Sequence, residues 1–510
     1  MISKMKTTAL LGINGYMVSV ETDISNGMPS FDIVGLPDAA VKESKERIRA
    51  AIKNTGLSMP SKHIIVNLAP ADVKKEGTHF DLPIAVGILA ASQQLSEGVA
   101  SEYIFLGELS LDGELRRVNG VLPMVISAYR SGIRKVLLPE DNASEAAVIS
   151  EMEVYGVKTL RQLLVHLTGE KPIQPTRVQA EFLLQSQKRN EFDFADVKGQ
   201  APVRRAMEVA AAGGHNILMI GPPGSGKTMI AKRIPSILPD MSFDEALEVT
   251  QIHSIAGTLS ENSPIVTGRP FRHPHHTVSS VGLSGGGSNP RPGEISLSHH
   301  GVLFLDELPE FRRDALEVMR QPLEDNSITI TRVGGTVTYP CNIMLVASMN
   351  PCPCGYYGDE TRECTCTQSQ IMRYMSKISG PLLDRIDLHI EVPAVKYDEL
   401  EERAEGESSA EIQKRVNAAR AIQRERYKKD GIYSNSRLTP KLMEEHCRPE
   451  AEAAELLKIA YENLGLSARA HNRILKVART IADLEGRDKI GLEHIAEAIQ
   501  YRALDKKFFG

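Results

Sequence analysis

A glycine-rich stretch between Asn216 and Met229 contains the residue types that bind phosphate. The four apolar residues before it, 217–220, predict a short buried strand. In the pattern G-x-x-x-x-G-K-[ST], glycines let backbone N–H groups surround a phosphate, the lysine reaches the β- and γ-phosphates, and the hydroxyl holds Mg²⁺. The chain matches this pattern at every fixed position with Gly221, Pro222, Pro223, Gly224, Ser225, Gly226, Lys227 and Thr228. The stretch therefore predicts a site for ATP and Mg²⁺.

Two adjacent carboxylates, Asp306 and Glu307, end an apolar run about 80 residues after the phosphate loop. A buried strand that ends in Asp-Glu is the Walker B pattern. It places Asp306 in the Mg²⁺ shell and Glu307 beside the water that attacks the γ-phosphate. A further strand is predicted over 343–348, and Asn350 follows it. A polar residue at this place resembles the sensor 1 of AAA+ ATPases, which orients the lytic water.

Four cysteines lie within fifteen residues, as two C-x-C pairs separated by nine residues: Cys352, Cys354, Cys364 and Cys366. Thiolates at this density suit tetrahedral Zn²⁺, and the spacing predicts a structural zinc knuckle. The spacing is not the commonest C-x-x-C form, so free thiols or a redox pair remain alternatives.

Composition predicts an ordinary soluble protein. The chain has 510 residues, a formal net charge of −5 and six cysteines, and its length suggests about three domains. It lacks an apolar run long enough for a membrane span and an apparent secretory signal, so we expect a cytoplasmic protein without a membrane partner. The mild charge argues against bulk electrostatic binding of nucleic acid but permits a local basic pore.

Residues 1–170 predict an α+β domain without a phosphate motif. Strands are expected over Thr7–Ile13 and Tyr16–Thr22, and an amphipathic helix over Asp38–Thr55. The segments 74–92 and 107–142 resemble the proteolytic domain of the Lon family, within the ribosomal-S5-like fold. Lon proteases use a Ser–Lys dyad.

Neither residue of that dyad is present. The segment that resembles the serine motif, 75–81, contains no serine, and Leu122 takes the place of the lysine. His79 and Asp81 are polar residues nearby, for which a helix entry is the expected role. The domain is therefore predicted to keep a protease fold without protease chemistry.

Residues 171–195 contain two prolines and polar runs, and are predicted to form a linker. Residues 196–395 then resemble an AAA+ core, beginning with the D-V-x-G-Q segment at 196–200. Arg385, within the phrase G-P-L-L-D-R-I-D, resembles the arginine finger of the AAA+ branch that holds magnesium chelatases and minichromosome-maintenance helicases. A finger supplied in trans implies an oligomer, usually a hexamer.

Residues 396–510 are predicted to be a helical lid. The segment beginning Ser467-Ala468-Arg469-Ala470 resembles the sensor 2 helix, in which Arg469 would contact the γ-phosphate with support from Arg473. The basic residues of 401–430 are expected on a solvated helix, and nucleic-acid contact there stays an alternative.

A histidine-, glycine- and proline-rich segment over 268–298 fits no ordinary core element. We expect a partly basic loop that faces the pore of a ring. Its histidines, together with His299 and His300, lack cysteine or acidic partners at ligand spacing, so metal binding is disfavoured.

Almost the whole chain resembles the YifB/ComM family of magnesium-chelatase-like proteins. The resemblance implies a ring-forming AAA+ ATPase that acts as a DNA helicase in branch migration during natural transformation, with single-stranded or branched DNA as partner. Two alternatives remain: a magnesium chelatase motor subunit, and an ATP-dependent protein remodeller or protease regulator. Such chelatase subunits do not normally carry the Lon-like domain or the cysteine pairs, and the missing dyad disfavours a protease.

Overall fold

The computed structural model describes residues 2–186, 192–260, 263–287, 290–332, 335–359, 362–395, 406–464, 466–504 and 508. The chain divides into two compact units. One consists of Met1–Gln187 and Phe243–Thr267, and the other of Lys188–Ser242 and Gly268–Gly510. Within the described ranges, none of the helices has both the length and the apolar character needed to span a bilayer.

The first unit contains a seven-stranded mixed sheet and eight described helices. The strands are β1 (Ile2–Leu11), β2 (Asn14–Ser25), β3 (Ser30–Val34), β4 (His63–Ala69), β5 (Tyr103–Phe105), β6 (Glu108–Leu109), β7 (Leu115–Arg116), β8 (Lys135–Pro139) and β9 (Glu153–Val157). The helices are α1 (Ala39–Asn54), α2 (Asp81–Ala91), α3 (Glu97–Ala100), α4 (Val121–Arg130), α5 (Glu140–Ala146), α6 (Leu160–Leu167), α7 (Ala180–Ser186) and α10 (Phe243–Ala256). The sheet order is β3-β4-β2-β1-β5-β8-β9, with β6 and β7 forming a separate pair.

The predicted α+β class of this unit is confirmed. Strand β1 begins at Ile2, five residues before the predicted start, because it pairs with β2 along its full length from Ile2 opposite Asp23 to Leu11 opposite Asn14. Every residue of α2 is buried, which explains its continuous apolar sequence. The predicted linker contains the short helix α7. Residues 187–191 of the linker lie outside the described part of the chain.

Helix α10 lies in the sequence range expected for the ATPase core, yet it packs within the first unit. The carbonyl of Ser254 accepts a hydrogen bond from the Gly120 N–H (3.0 Å), and its hydroxyl donates to Glu145 (2.5 Å). Glu145 also accepts from the N–H of Leu122 at 3.1 Å. Residues 243–267 therefore differ from the expected continuous core over 196–395.

The second unit contains a five-stranded sheet and a helical region. The strands of this unit are β10 (Ile217–Ile220), β11 (Phe271–Arg272), β12 (Gly285–Gly286), β13 (Arg291–Pro292), β14 (Val302–Leu305), β15 (Ser327–Arg332), β16 (Gly335–Pro340), β17 (Met344–Met349) and β18 (Leu388–Glu391). Strands β12 and β13 form one separate pair, and β15 and β16 form another. The helices of this unit are α8 (Ala201–Gly213), α9 (Lys227–Arg233), α11 (Ser280–Ser284), α12 (Glu294–Leu297), α13 (Arg313–Glu317), α14 (Arg320–Asp325), α15 (Gln368–Met375), α16 (Gly380–Leu383), α17 (Ser409–Arg426), α18 (Pro440–His446), α19 (Ala451–Leu464), α20 (Ala468–Leu484) and α21 (Leu492–Gln500).

The five-stranded sheet is entirely parallel, in the order β11-β14-β17-β10-β18. Its central strands β10, β14 and β17 are buried at every position, as expected for a parallel sheet covered on both faces. All five strands run in one direction, so the loops that follow them meet at one edge of the sheet. We call this the carboxyl edge, and the opposite one the amino edge.

The segment 268–298 is more structured than the sequence predicted. It begins with β11, which joins the sheet beside β14, and Leu283 and Ile295 are fully buried. The expectation that no core element fits was wrong, because the segment forms three two-residue strands and two short helices and buries several of its side chains. Residues 288 and 289 lie outside the described part of the chain.

The helical region packs against the core of the same unit. Ile412 and Val416 of α17 and Ile474 of α20 share one hydrophobic cluster with Ile217 and Met219 of β10. Residues 396–405, at the predicted start of the lid, lie outside the described ranges. The described part of the predicted lid is helical, as expected.

Candidate functional site

The phosphate loop connects β10 to α9 at the carboxyl edge of the sheet. Gly224 and Gly226 have φ angles of +79° and +88°, which glycine adopts without a Cβ penalty. Gly221 has no room for a side chain, because a Cβ there would lie 2.1 Å from the carbonyl oxygen of Val392. Its N–H donates to the Met349 carbonyl at 3.2 Å. The loop is therefore fixed against the ends of two neighbouring strands.

Three strands bring the predicted phosphate-site residues together. Lys227 Nζ lies 3.3 Å from the Asn350 Oδ1 acceptor and 2.8 Å from the carbonyls of Gly221 and Pro222. The Thr228 hydroxyl donates to Asp306 Oδ2 at 2.7 Å. A cation, a hydroxyl, a carboxylate and an amide thus converge, and this donor set fits a triphosphate with its Mg²⁺.

Lys227 supplies a cation at this edge, and its surroundings shift its pKa. Burial lowers the pKa of Lys227 to about 8, although the negative charges of Asp306 and Glu307 oppose this shift. A phosphate beside the ammonium group would add negative charge and favour its protonated form. The lysine is therefore suited to bind phosphate.

Glu307 follows Asp306 in an uncommon backbone conformation. Its φ of 54° and ψ of 49° lie in the left-handed region, which non-glycine residues enter at an energetic cost. Its N–H donates to Asp306 Oδ1 at 3.1 Å, and the Ser348 hydroxyl donates to the same carboxylate. The Glu307 carboxylate is 59% exposed. The strained turn thus directs it outward from the strand, where a base or water-positioning group would act.

The predicted finger and sensor 2 residues lie at the opposite edge of the sheet. The Arg385 carbonyl accepts from Asn216, the residue before β10, at 2.9 Å. The phosphate loop follows the other end of β10, and the four residues of this strand separate its two ends by about 13 Å. Nη1 of Arg469 lies 3.7 Å from Oδ2 of Asp384. Because Asp384 precedes Arg385 in the chain, Arg469 lies at the same edge as Arg385. In this arrangement Arg469 therefore lies away from the phosphate loop of its own chain.

Arg385 is held by its own unit. Its guanidinium pairs with Glu324 and donates to the carbonyls of Arg320 and Pro381, and its side chain is only 9% exposed. It lines a cavity of about 310 Å³ together with Arg473 and other basic residues. The predicted pair Arg385 and Arg469 thus marks a second, basic region at the amino edge.

The four cysteines of the two C-x-C pairs come together. The Sγ of Cys352 lies 3.3 Å from that of Cys354 and 3.7 Å from that of Cys364, and all four sulfurs lie within 4.8 Å of one another. A tetrahedron with Zn–S bonds of about 2.3 Å has sulfurs about 3.8 Å apart. The cluster could therefore hold zinc, and the remaining sulfur, on Cys366, accepts from the Cys354 N–H at 3.4 Å.

This cysteine cluster contacts the phosphate loop through Gly355. A Cβ on Gly355, which has a φ of +89°, would lie 2.5 Å from Cδ of Pro223. The Gly355 N–H donates to the Sγ of Cys352 at 3.2 Å. The knuckle begins two residues after Asn350, so it supports both the sensor residue and the phosphate loop.

Three residues near the site were not identified from the sequence. Ser348 contacts Asp306, as described above. The Gln200 amide donates to the Ser225 carbonyl at 3.0 Å, and His276 Nδ1 lies 3.6 Å from a carboxylate oxygen of Glu307. Only Gln200 had a signal, because it ends the D-V-x-G-Q segment. The others depend on contacts between distant parts of the chain.

The dyad-related segments of the first unit are packed as structure. Asp81 is fully buried and accepts from Arg47 at 2.8 and 3.1 Å and from the Leu109 N–H at 3.2 Å. His79 is 5% exposed, and burial lowers its pKa to about 4. Leu122 is fully buried. Within the described residues, these positions present no serine and lysine pair.

A parallel sheet of this order, with a phosphate loop, a Walker B strand and a polar sensor at one edge, defines an AAA+ type P-loop protein. Three family profiles cover most of the chain: "Subunit ChlI of Mg-chelatase" matches residues 20–142, "Magnesium chelatase, subunit ChlI" matches 193–400, and "Magnesium chelatase, subunit ChlI C-terminal" matches 406–502.

Full-length relatives refine this class. The chain is 45% identical to the competence protein ComM of Haemophilus influenzae, over 97% of this chain and 96% of the relative. It is 44% identical to the YifB protein of Escherichia coli, over 99% and 98% of the two chains. Lon protease 1 of Sorangium cellulosum is 28% identical over 30% of this chain and 20% of its own. The chain belongs to the YifB/ComM family of magnesium-chelatase-like AAA+ proteins, whose class implies ATP and Mg²⁺ as ligands.

Proposed function

We propose that this protein is a ring-forming AAA+ ATPase that drives branch migration as a DNA helicase. The observation that carries the ATPase is the convergence of Lys227, Thr228, Asp306 and Asn350 at one sheet edge. Glu307 activates or positions the attacking water. Phosphoryl transfer in P-loop enzymes needs these groups to position the reactants and stabilise charge, and it requires little covalent chemistry from the protein.

The position of the arginines supports oligomerisation. Arg385 and Arg469 lie at the amino edge, so they complete a site only when a second subunit places that edge against the first subunit's phosphate loop. Members of the AAA+ class commonly form oligomers, and a hexamer is the expected ring. The cysteine cluster binds one structural Zn²⁺ per chain.

The domain assignment belongs to the same proposal. A Lon-like domain over 1–170 is joined by the 171–195 linker to the ATPase core of 196–395, and a lid follows over 396–510. Helix α10 is the exception, because it packs with the first unit.

The DNA role is supported by the full-length similarity to a competence protein. A decisive experiment measures ATP hydrolysis and unwinding of forked DNA by the purified chain, with Glu307→Gln as the control. We expect stimulation by single-stranded or branched DNA, and strand separation that needs ATP and is absent in the control. ATPase activity without any response to DNA would favour a magnesium chelatase-type motor or a protein remodeller instead.

A further inference from the structure

A cavity of about 420 Å³ lies beside the hydrolytic centre. Several of the residues that line it have no role in the ATPase reaction described above. Glu307 and Asn350 form one wall, and helix α15 with the two residues after it forms the other. The residues of that second wall are Gln370, Arg373, Tyr374 and Lys377. At about 30 Å³ per water molecule, the cavity has room for a phosphate ion and several waters.

The cavity adjoins the expected γ-phosphate position. Asn350 lines it and also contacts Lys227, the residue that binds the β- and γ-phosphates. Tyr374 of α15 lines the same cavity as Asn350, so α15 faces the sensor residue across it. A phosphate leaving the γ-position away from ADP would therefore enter this space.

Two cations on the α15 side face the cavity. Arg373 lies in α15 and Lys377 two residues after its end, and both line the cavity. Lys377 pairs with Glu310 at 3.2 Å and lies over the Tyr374 ring. Across the described residues the Arg373 guanidinium makes neither a hydrogen bond nor an ion pair. Arg373 is thus a solvated fork of donors that matches phosphate oxygens.

We propose that this cavity is a binding site for inorganic phosphate, the product of the γ-phosphoryl group, with Arg373 as its main ligand and Lys377 as the second cation. The inference rests on the proposed ATP hydrolysis. In that reaction the water oxygen forms a bond to the γ-phosphorus, and the bond to the bridging oxygen breaks with its electron pair left on ADP. Glu307 takes the water proton, and the inorganic phosphate stays beside Arg373 until release.

The charges around the cavity suit a product that must leave. Glu307 and Glu310 repel a phosphate, while Arg373 and Lys377 attract it. Binding is therefore expected to be weak and to depend on the arginine. The strength of phosphate binding at this wall would then help to determine whether ADP or phosphate is released first.

The test is calorimetric titration of inorganic phosphate into the full chain saturated with ADP and Mg²⁺. Arg373→Gln should weaken phosphate binding by about 10- to 100-fold, as expected for lost hydrogen bonds to a charged group. Arg373→Lys should recover part of it. Met372→Gln is the matched control, because Met372 is 64% exposed on the same helix and does not line the cavity.

Steady-state inhibition by added phosphate should weaken by the same factor in Arg373→Gln, while affinity for a non-hydrolysable ATP analogue stays unchanged. Equal phosphate affinity in the wild type and Arg373→Gln would overturn the inference, and so would dissociation of the oligomer in that variant, which would indicate a subunit contact. A wild type that binds phosphate through Arg373 but hydrolyses no ATP would instead refute the proposed function alone.

Discussion

Two regions of the chain carry polar residues at positions related to catalytic motifs, and they hold these residues differently. At the carboxyl edge of the second unit, Lys227 contacts Asn350 and Thr228 contacts Asp306 at the end of a sheet. In the first unit, Asp81 is buried in a bidentate pair with Arg47, and among the described residues the buried His79 has no hydrogen-bond partner at Nε2.

The difference shows that a residue at a position related to a catalytic motif can stabilise the fold instead of taking part in a reaction. A catalytic constellation needs groups that remain available to a ligand, whereas a buried charge is stable when its partners come from the protein itself. The first unit keeps a Lon-like fold with internal partners for Asp81. The second keeps Glu307 and Asn350 on the wall of a cavity at the sheet edge, and the Glu307 side chain is 59% exposed. The predictions below test this contrast.

The largest effects are expected at the phosphate loop. Lys227→Ala should abolish nucleotide binding, because the phosphates lose their main cation. Glu307→Gln should bind ATP normally and lose about 10²- to 10⁴-fold in turnover, since only proton transfer or water positioning is removed. Binding of a fluorescent nucleotide and ATP hydrolysis measure the two effects. Turnover at the wild-type rate in Glu307→Gln would show that the Walker B assignment is wrong.

The amino edge is the next test, since it contributes only across a subunit interface. Arg385→Ala should bind ATP but lose about 10³-fold in hydrolysis. Mixing it with Lys227→Ala should restore part of the activity, because each subunit then supplies what the other lacks.

Glu324→Gln is the control for that experiment. It releases Arg385 from its intrachain pair and should keep the activity. If Glu324→Gln is as inactive as Arg385→Ala and the mixture shows no recovery, Arg385 stabilises its own subunit and is not a finger.

A moderate effect is expected from the cysteine cluster, which supports both the sensor loop and Pro223. Cys364→Ser should lose zinc and lower the midpoint of thermal unfolding by about 4–8 °C for a loss of ~2 kcal/mol. ATPase activity should fall by about 10-fold with nucleotide binding largely kept, because small displacements of a catalytic group are costly.

Thr365→Ser, an exposed residue between two of the cysteines, should retain the metal. Elemental analysis of protein purified without chelators gives the answer. Less than about a tenth of an equivalent of zinc in the wild type, with four titratable thiols and normal ATPase, would identify packing or redox cysteines instead.

The smallest effect on catalysis is expected in the Lon-like unit. Purified protein should not degrade casein with ATP present, since nucleophile and base are both missing. Cleavage that persists in Lys227→Ala and disappears on His79→Ala would refute this prediction.

His79 should instead affect stability at acid pH. Its folded pKa of about 4 lies below the unfolded value of about 6.5, so the unfolded chain binds a proton first as the pH falls. The free energy of unfolding should therefore decrease between pH 6.5 and 4, by about 2 kcal/mol at pH 5. His79→Gln should lack this contribution. Denaturation at pH 7 and pH 5 measures it, and equal pH dependence in both proteins would contradict the assignment.

The basic helix α17 shows where sequence patterns leave two interpretations open. Its arginines permitted either a solvated helix or nucleic-acid contact. In the structure Arg415 pairs with Glu208 at 2.5 Å and Arg426 with Asp483 at 2.6 Å. Both side chains are therefore engaged within the second unit, which supports the structural interpretation for these two residues.

The sequence by itself determined the local parts of this protein: the strand, glycine turn and helix of the phosphate loop, the Walker B strand, the paired cysteines and the missing dyad. These features depend on residues close together in the chain, so spacing and residue type are enough to identify them. The tertiary structure decided which distant residues meet. Asn350 reaches Lys227 because β17 lies beside β10, while Arg385 ends at the opposite edge. Strand order and the burial of α10 depend on packing over the whole unit, which no short window of sequence contains.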